Sequence, residues 1–204
     1  MEIAALITAF FTLFVVIDPI GLTPMFIALT PGMDARARRI IAIRTVIIAM
    51  IILTMFGLLG DAVLGFIGIS MPAFRIAGGM LLFLTALDML FERRTKRRED
   101  KTEEEREDPS VFPLAIPLVA GPGSIATMIL LADQANGPME LLSVHLVMAA
   151  VVASAFVFFM AANPLERILG KTGINVVTRL LGMLLAALSV QFVLDGLAGF
   201  EIGG

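Results

Sequence analysis

Of 204 residues, 58% are hydrophobic and only 16% are charged, against roughly 45–50% and about 25% in soluble chains, so the expected solvent is the lipid bilayer. A formal net charge of −3 gives no basic footprint for nucleic acid. Cysteine is absent and His145 is the single histidine, which removes the raw material for disulfides, zinc or iron–sulfur sites and Cys or His nucleophiles.

A membrane helix needs about 20 apolar residues, and six stretches supply them, at roughly 3–29, 40–60, 72–91, 111–132, 141–162 and 176–199. The first has no basic leader region and no small-residue cleavage site, so it reads as a retained span. It runs apolar from Ile3 to Ile17, meets Asp18-Pro19-Ile20-Gly21-Leu22-Thr23-Pro24, and resumes from Met25 to Leu29. Pro24 lacks the N–H of a helical bond, and each proline disfavours helical geometry at the residue before it, so the span is expected to break. Asp18-Pro19 reads as an N-cap with proline at the first helical position.

The third span ends near Asp88 and leads into Glu92–Asp108, which holds seven of the 15 basic and eight of the 18 acidic residues. That run reads as a solvated linker, or as an element that holds anionic headgroups through its basic half. The fourth span is interrupted at Pro113, Pro117 and Gly121-Pro122-Gly123-Ser124, with Ser124 the expected N-cap of the helix that continues to Leu131. His145 falls early in the fifth span, as an interfacial histidine or a proton relay. Small residues at Ala149/Ala153, Ala150/Ser154 and Gly182/Ala186 mark packing faces that serve the chain itself or a homo-oligomer. Arg75 is expected to form an ion pair with Asp61.

If the spans alternate, 14 of the 15 basic residues, all but Arg75, fall in three loops on one side. The positive-inside rule places those loops in the cytoplasm and both termini outside.

The chain also repeats itself. Gly79-Met80-Leu81-Leu82 recurs as Gly182-Met183-Leu184-Leu185, an offset of 103 that also lays Pro19 on Pro122 and Asp88 on Gln191. Leu64–Ile69 recurs in outline as Leu169–Ile174, at an offset of 105. The expected fold is therefore all-α and integral to the membrane: six transmembrane helices as two inverted three-helix repeats, residues 1–91 and 111–204, joined by a charged loop at 92–110, with spans 1 and 4 broken.

Unwound backbone at membrane depth must be buried in protein or line a wet cavity, and that cavity is the expected binding site. Half-helix N-termini suit a carboxylate and exposed carbonyls suit an ammonium group, which points to a zwitterion of amino-acid size. Its expected contacts are Asp18, Pro19, Gly21, Thr23 and Pro24 from the first break, and Gly121, Pro122, Gly123, Ser124 and Thr127 from the second. Asp18, Asp88 and Gln191 are the expected coupling or gating residues. Asp88 also reads as a carboxylate that reaches interfacial water. The coupling ion is H+ or Na+, and no other cofactor is called for.

At these residues the sequence resembles the MarC family of six-span bacterial and archaeal membrane proteins. Its first-span pattern Asp-Pro-x-Gly-x-x-Pro stands as Asp18, Pro19, Gly21 and Pro24. Its fourth-span pattern stands as Pro113, Leu114, Pro117, Gly121, Pro122, Gly123, Ser124 and Ile125, and the likeness covers essentially the whole chain. The resemblance implies inner-membrane transport of small neutral amino acids such as glycine and alanine, driven by a cation gradient. A passive pore, an exporter of another solute or a scaffold subunit is the alternative. An intramembrane enzyme finds no HExxH, GxSxG or Walker pattern to work with.

Overall fold

In the computed structural model, which describes residues 3–91 and 108–200, every regular element is helical. The chain forms α1 (Ile3–Ile17), α2 (Thr23–Leu29), α3 (Ala35–Ile67) and α4 (Met71–Leu90). An irregular helical segment, Ser110–Val119, follows, and then α5 (Pro122–Asp133), α6 (Pro138–Met160) and α7 (Ala162–Gly199). The charged run at 92–107, and with it the headgroup-binding reading, lies outside the described residues.

Among the described residues, four helices are long and apolar enough to cross a membrane: Ala35–Ile67, Met71–Leu90, Pro138–Met160 and Thr172–Gly199, the straight part of α7. The bent pair Ser110–Val119 and Pro122–Asp133 makes a fifth if counted as one span, and Ile3–Ile17 is a shorter apolar helix. Their outer faces carry Ile47, Ile51, Phe66, Leu146, Val157 and Leu184 in the open. So much exposed apolar surface is costly in water and at home against acyl chains.

Local chemistry sets the ends. The Asp34 carboxylate accepts from Ala37 N–H at 2.7 Å and starts α3. Gly68, at φ +84°, stops it, with Gly68 N–H donating to Gly65 O and Ile69 N–H to Leu64 O. Those two caps let α3 extend well beyond the apolar stretch at 40–60, for 33 residues, or about 50 Å at 1.5 Å per residue. In the matching stretch of the second half the glycine with positive φ is Gly170, at φ +64°, where α7 kinks before Thr172. The positive φ thus falls on Gly170, the counterpart of Gly65 in the repeat, and not on Gly173.

The most extensive packing joins α4 to α7, and it rests on the two copies of the Gly-Met-Leu-Leu sequence. A Cβ on Gly79 would stand 2.7 Å from Ser189 O and 2.8 Å from Val193 Cγ2. One on Gly182 would stand 3.0 Å from Met89 Cβ and 3.4 Å from Ala86 O and Leu90 Cγ. Ser189 and Val193 lie 103 residues beyond Ala86 and Leu90, so each glycine meets the counterpart of what the other meets. As the contacts climb α4 from Pro72 to Leu90 they descend α7 from Gly199 to Gly182, which makes the two helices antiparallel. Small residues let the backbones come this close, where dispersion and close packing replace the hydrophobic drive that lipid does not supply.

The other contacts fall into matching sets. α1 packs on α6 as Ser110–Val119 packs on α3, and α7 receives α1 and α2 as α4 receives α5. One core joins α1, α2, α3, Ser110–Val119, α5 and α6 around Leu13, Ile17, Phe26, Leu53, Leu114, Met128, Met148 and Phe159. A second, around Val16, Leu82, Leu130 and Leu185, ties α4 and α7 to α1 and α5. Stacking of Phe26 on Phe159, with ring centroids 4.7 Å apart, holds α2 against α6.

Candidate functional site

The first break forms because Asp18 adopts φ +52°, a left-handed conformation that a non-glycine residue takes at a cost of about 1 kcal/mol or more. Asp18 N–H still donates to Phe14 O, so Asp18 closes α1 instead of opening the next helix. Its Oδ1 accepts from Gly21 N–H at 3.0 Å and its carbonyl accepts from Leu22 N–H, which folds Pro19–Leu22 into a tight turn. The expected N-cap at Asp18-Pro19 is therefore corrected: α2 starts at Thr23, behind Leu22, with Pro24 in its first turn. Thr23 Oγ1 donates to Pro19 O, and with seven residues α2 offers no developed dipole end.

The second break is built differently. Asp108 anchors its approach: Oδ1 accepts from the Ser110 hydroxyl at 2.7 Å and from Ser110 N–H at 3.0 Å, and Oδ2 from Arg44 at 2.9 Å. These bonds, the Ser110 hydroxyl foremost, hold the Asp108 carboxyl below its ordinary pKa. Phe112, Ile116 and Pro117 are non-helical, the peptides before Pro113 and Pro117 are cis, and the chain bends by 54° into α5. Gly121 is the N-cap of α5 and Pro122 its first residue, so Ser124 sits inside the first turn and the cap expected there is corrected. Proline fits that place because a first-turn N–H has no partner within the helix. Gly121 is required sterically, since a Cβ there would collide with Pro117 O.

The two breaks meet. A Cβ on Gly123 would stand 3.0 Å from Leu82 Cδ2, 3.4 Å from Val16 Cγ1 and 3.6 Å from Thr85 Oγ1. The amide end of α5 therefore packs against the last turn of α1 and the middle of α4. Val16 lies two residues before Asp18, and Pro19 has no N–H to offer Val15 O. The carbonyl end of one half-helix, with a carboxylate on it, thus stands beside the amide end of another.

Polar groups at this junction are sealed from solvent. Asp18 is 1% exposed, Ser124 2%, and Thr23 and Thr127 are fully buried. Thr127 Oγ1 is buried and makes no hydrogen bond among the described residues. The neighbouring cavity, about 250 Å³, is apolar and lies between α3, α4 and α5, against Phe56, Gly60, Phe74, Leu81, Pro122 and Ile129.

The remaining expected residues stand apart from the junction. Asp88 is half-buried near the end of α4. Gln191 is exposed on α7, and its Nε2 donates to Asp195 Oδ1 at 2.7 Å. In the antiparallel register the two sit at opposite ends of the α4–α7 pair. Arg75 bonds to Asp133 at the end of α5, Nη2 to Oδ2 at 3.1 Å, and not to Asp61 as expected, because the short α5 ends level with the start of α4. His145 Nδ1 bonds to Leu141 O at 2.8 Å, and its Nε2 is buried beside Gly57. Thr178 of α7 was not among the expected residues, yet a Cβ on Gly21 would stand 2.7 Å from its Oγ1 and would collide with Asp18 Oδ2.

Comparison with known proteins covers the same span as these features. Residues 3–200 match the family model described as MarC family integral membrane protein. The chain is 37% identical over 203 residues to a UPF0056 membrane protein of Methanocaldococcus jannaschii, covering 98% of each chain. It is 36% identical to the UPF0056 membrane protein YvbG of Bacillus subtilis, covering 98% of this chain and 97% of that one. To the UPF0056 inner membrane protein YhgN of Escherichia coli it is 34% identical, over 94% of this chain and 95% of that one. No solved structure matches it significantly.

Proposed function

We propose, since the chain belongs to the MarC family of integral membrane proteins, that it is a secondary transporter for small neutral amino acids such as glycine and alanine. It works in the inner membrane by alternating access, with six spans in two inverted repeats, both termini outside, and a gradient of H+ or Na+ as the drive. The observation that carries this reading is the meeting of unlike helix ends at Val16 and Gly123. The carbonyl end of α1, with the Asp18 carboxylate, suits an ammonium group, and the amides of Gly123 and Ser124 suit a carboxylate. One small zwitterion would span the two. The glycines at 21, 121 and 123 are crowded by neighbouring atoms and leave little room for a substrate side chain.

Two further features support alternating access. The reciprocal contacts of Gly79 and Gly182 are what a two-fold axis in the membrane plane would produce. Burial of Asp18, Thr23 and Thr127 makes the junction a closed compartment, which favours a carrier over a passive pore.

The zwitterion requirement is tested by thermal protection of the purified protein. Glycine and alanine are expected to raise its melting temperature, whereas glycinamide, which lacks the carboxylate, and N-acetylglycine, which lacks the ammonium, are not. Loss of one charged contact costs about 1.5–3 kcal/mol, or roughly 10–100-fold in affinity. Equal protection by both blocked analogues would contradict the site.

A further inference from the structure

We propose that the groove between α3, α4 and α5 holds one acyl chain of a phospholipid whose phosphate is bound by Arg75, a site that the transporter reading neither uses nor requires. The shape of the groove supplies the first argument. Its lining residues fall at 56–64 on α3, 74–81 on α4 and 122–129 on α5, so it runs about 10–12 Å along all three helices at 1.5 Å per residue. Every side chain on its wall is apolar, and Val63 and Leu81 at the rim are exposed on the flank of the bundle. The groove therefore opens to the hydrocarbon of the bilayer and offers water no partner. A volume of about 250 Å³ over that length leaves a cross-section of roughly 20–25 Å², one extended hydrocarbon chain wide and far too narrow for a helix of about 10–12 Å diameter. A second copy of this chain does not fit there.

One end of the groove is polar. α3 stops at Ile67, α4 starts at Met71 and α5 stops at Asp133, so the end at Leu64, Phe74 and Ile129 lies nearest the membrane surface. Arg75 follows Phe74, and Asp133, one turn beyond Ile129, holds it by a single contact, Nη2 to Oδ2 at 3.1 Å. Arg75 Nε is buried and has no hydrogen-bond partner among the described residues. A buried N–H without a partner is costly, and a one-contact pair leaves most of the guanidinium fork unused. Phosphate is a group that this fork fits, and basic positions between membrane helices are where lipid headgroups bind. The flexible arginine stem lets Nε turn to a phosphate at the mouth while Nη2 stays on Asp133. A phosphate at the surface end and one hydrocarbon chain below it make a phospholipid of the leaflet on that side.

The deep end of the groove is at Pro122, the first residue of α5, where the chain bends by 54°. The tip of the acyl chain thus bears on the turn that seats Gly123 against Val16 and Leu82.

The test uses the full chain purified in detergent, with palmitoyl-oleoyl phosphatidylglycerol as the probe. Diacylglycerol with the same chains lacks the phosphate, and glycerol 3-phosphate and inorganic phosphate lack the chains. Retained lipid is counted by native mass spectrometry, and stabilisation is read from the melting temperature. The phospholipid is expected to be retained at one per chain and to raise the melting temperature, and none of the partial analogues is. Arg75→Lys keeps a charge for Asp133 but has no fork, and is expected to weaken retention about tenfold. Val63→Trp fills the groove from its exposed rim and is expected to remove retention. Diacylglycerol that protects as well as the phospholipid overturns the site, because the phosphate then plays no part. Protection by glycerol 3-phosphate or inorganic phosphate equal to that by the phospholipid overturns it too, because the groove then plays none. Retention unchanged in either variant has the same force, and the comparison of probes on the unaltered protein decides the matter if a variant fails to fold.

Discussion

Asp18→Asn is expected to cut saturable glycine and alanine uptake by about 10–100-fold while leaving a folded protein. The carboxylate supplies the negative charge at the junction, and a hydrogen bond to a charged partner contributes about 1.5–3 kcal/mol, so transport efficiency should fall on the order of 10–100-fold. The structural part of the residue survives the change. Asparagine tolerates the left-handed conformation at φ +52° at least as well as aspartate, and its Oδ1 can still accept from Gly21 N–H. Uptake into liposomes and the melting temperature, measured on one preparation, separate the two roles. Normal uptake would contradict the site, and a variant that fails to fold would contradict the account of the turn.

The second large effect is expected at Gly79. Valine there would drive carbon into Ser189 O, 2.7 Å from the Cβ position, and into Val193. Ser189 O belongs to the backbone, so α7 must move as a whole. Overpacking of this kind costs about 1–3 kcal/mol, which corresponds to a melting-temperature drop of roughly 2–12 °C at this chain length. Gly65→Ala is the control. Nothing lies within 4 Å of a Cβ there, and alanine in a helix is favoured over glycine by about 1 kcal/mol. Equal melting temperatures for Gly79→Val and the unaltered protein would mean that α4 and α7 do not cross at Gly79.

Much of this was legible in the residues. Clusters of proline and glycine mark the breaks at 18–24 and 113–123 because neither residue can continue an apolar helix in the usual way, and Gly182 with Ala186 marked a packing face without saying that α4 fills it. Helix ends were read less well. Pro122 both breaks one helix and starts the next, and the sequence alone offers Ser124 as an equally good cap. The left-handed backbone at Asp18 carries only a weak signal, since glycine takes it routinely and aspartate or asparagine only occasionally.

The length of α3 was hidden for a related reason. Composition marks where a helix is apolar, whereas Asp34 and Gly68 decide where it ends. Non-local geometry accounts for the rest. Arg75 pairs with Asp133 because the bend before α5 shortens that arm. The approach of the Thr178 hydroxyl to the turn at Gly21 joins residues far apart in the chain, so nothing local marks it.

Uptake of labelled glycine and alanine by the purified protein in sealed liposomes, with proton and sodium gradients imposed separately and unlabelled amino acids as competitors, tests the central claim most directly. Saturable uptake that follows one of the two imposed gradients, shows counterflow and falls about 10–100-fold in Asp18→Asn is the predicted result. Folded, correctly inserted protein that takes up neither amino acid under either gradient would contradict it.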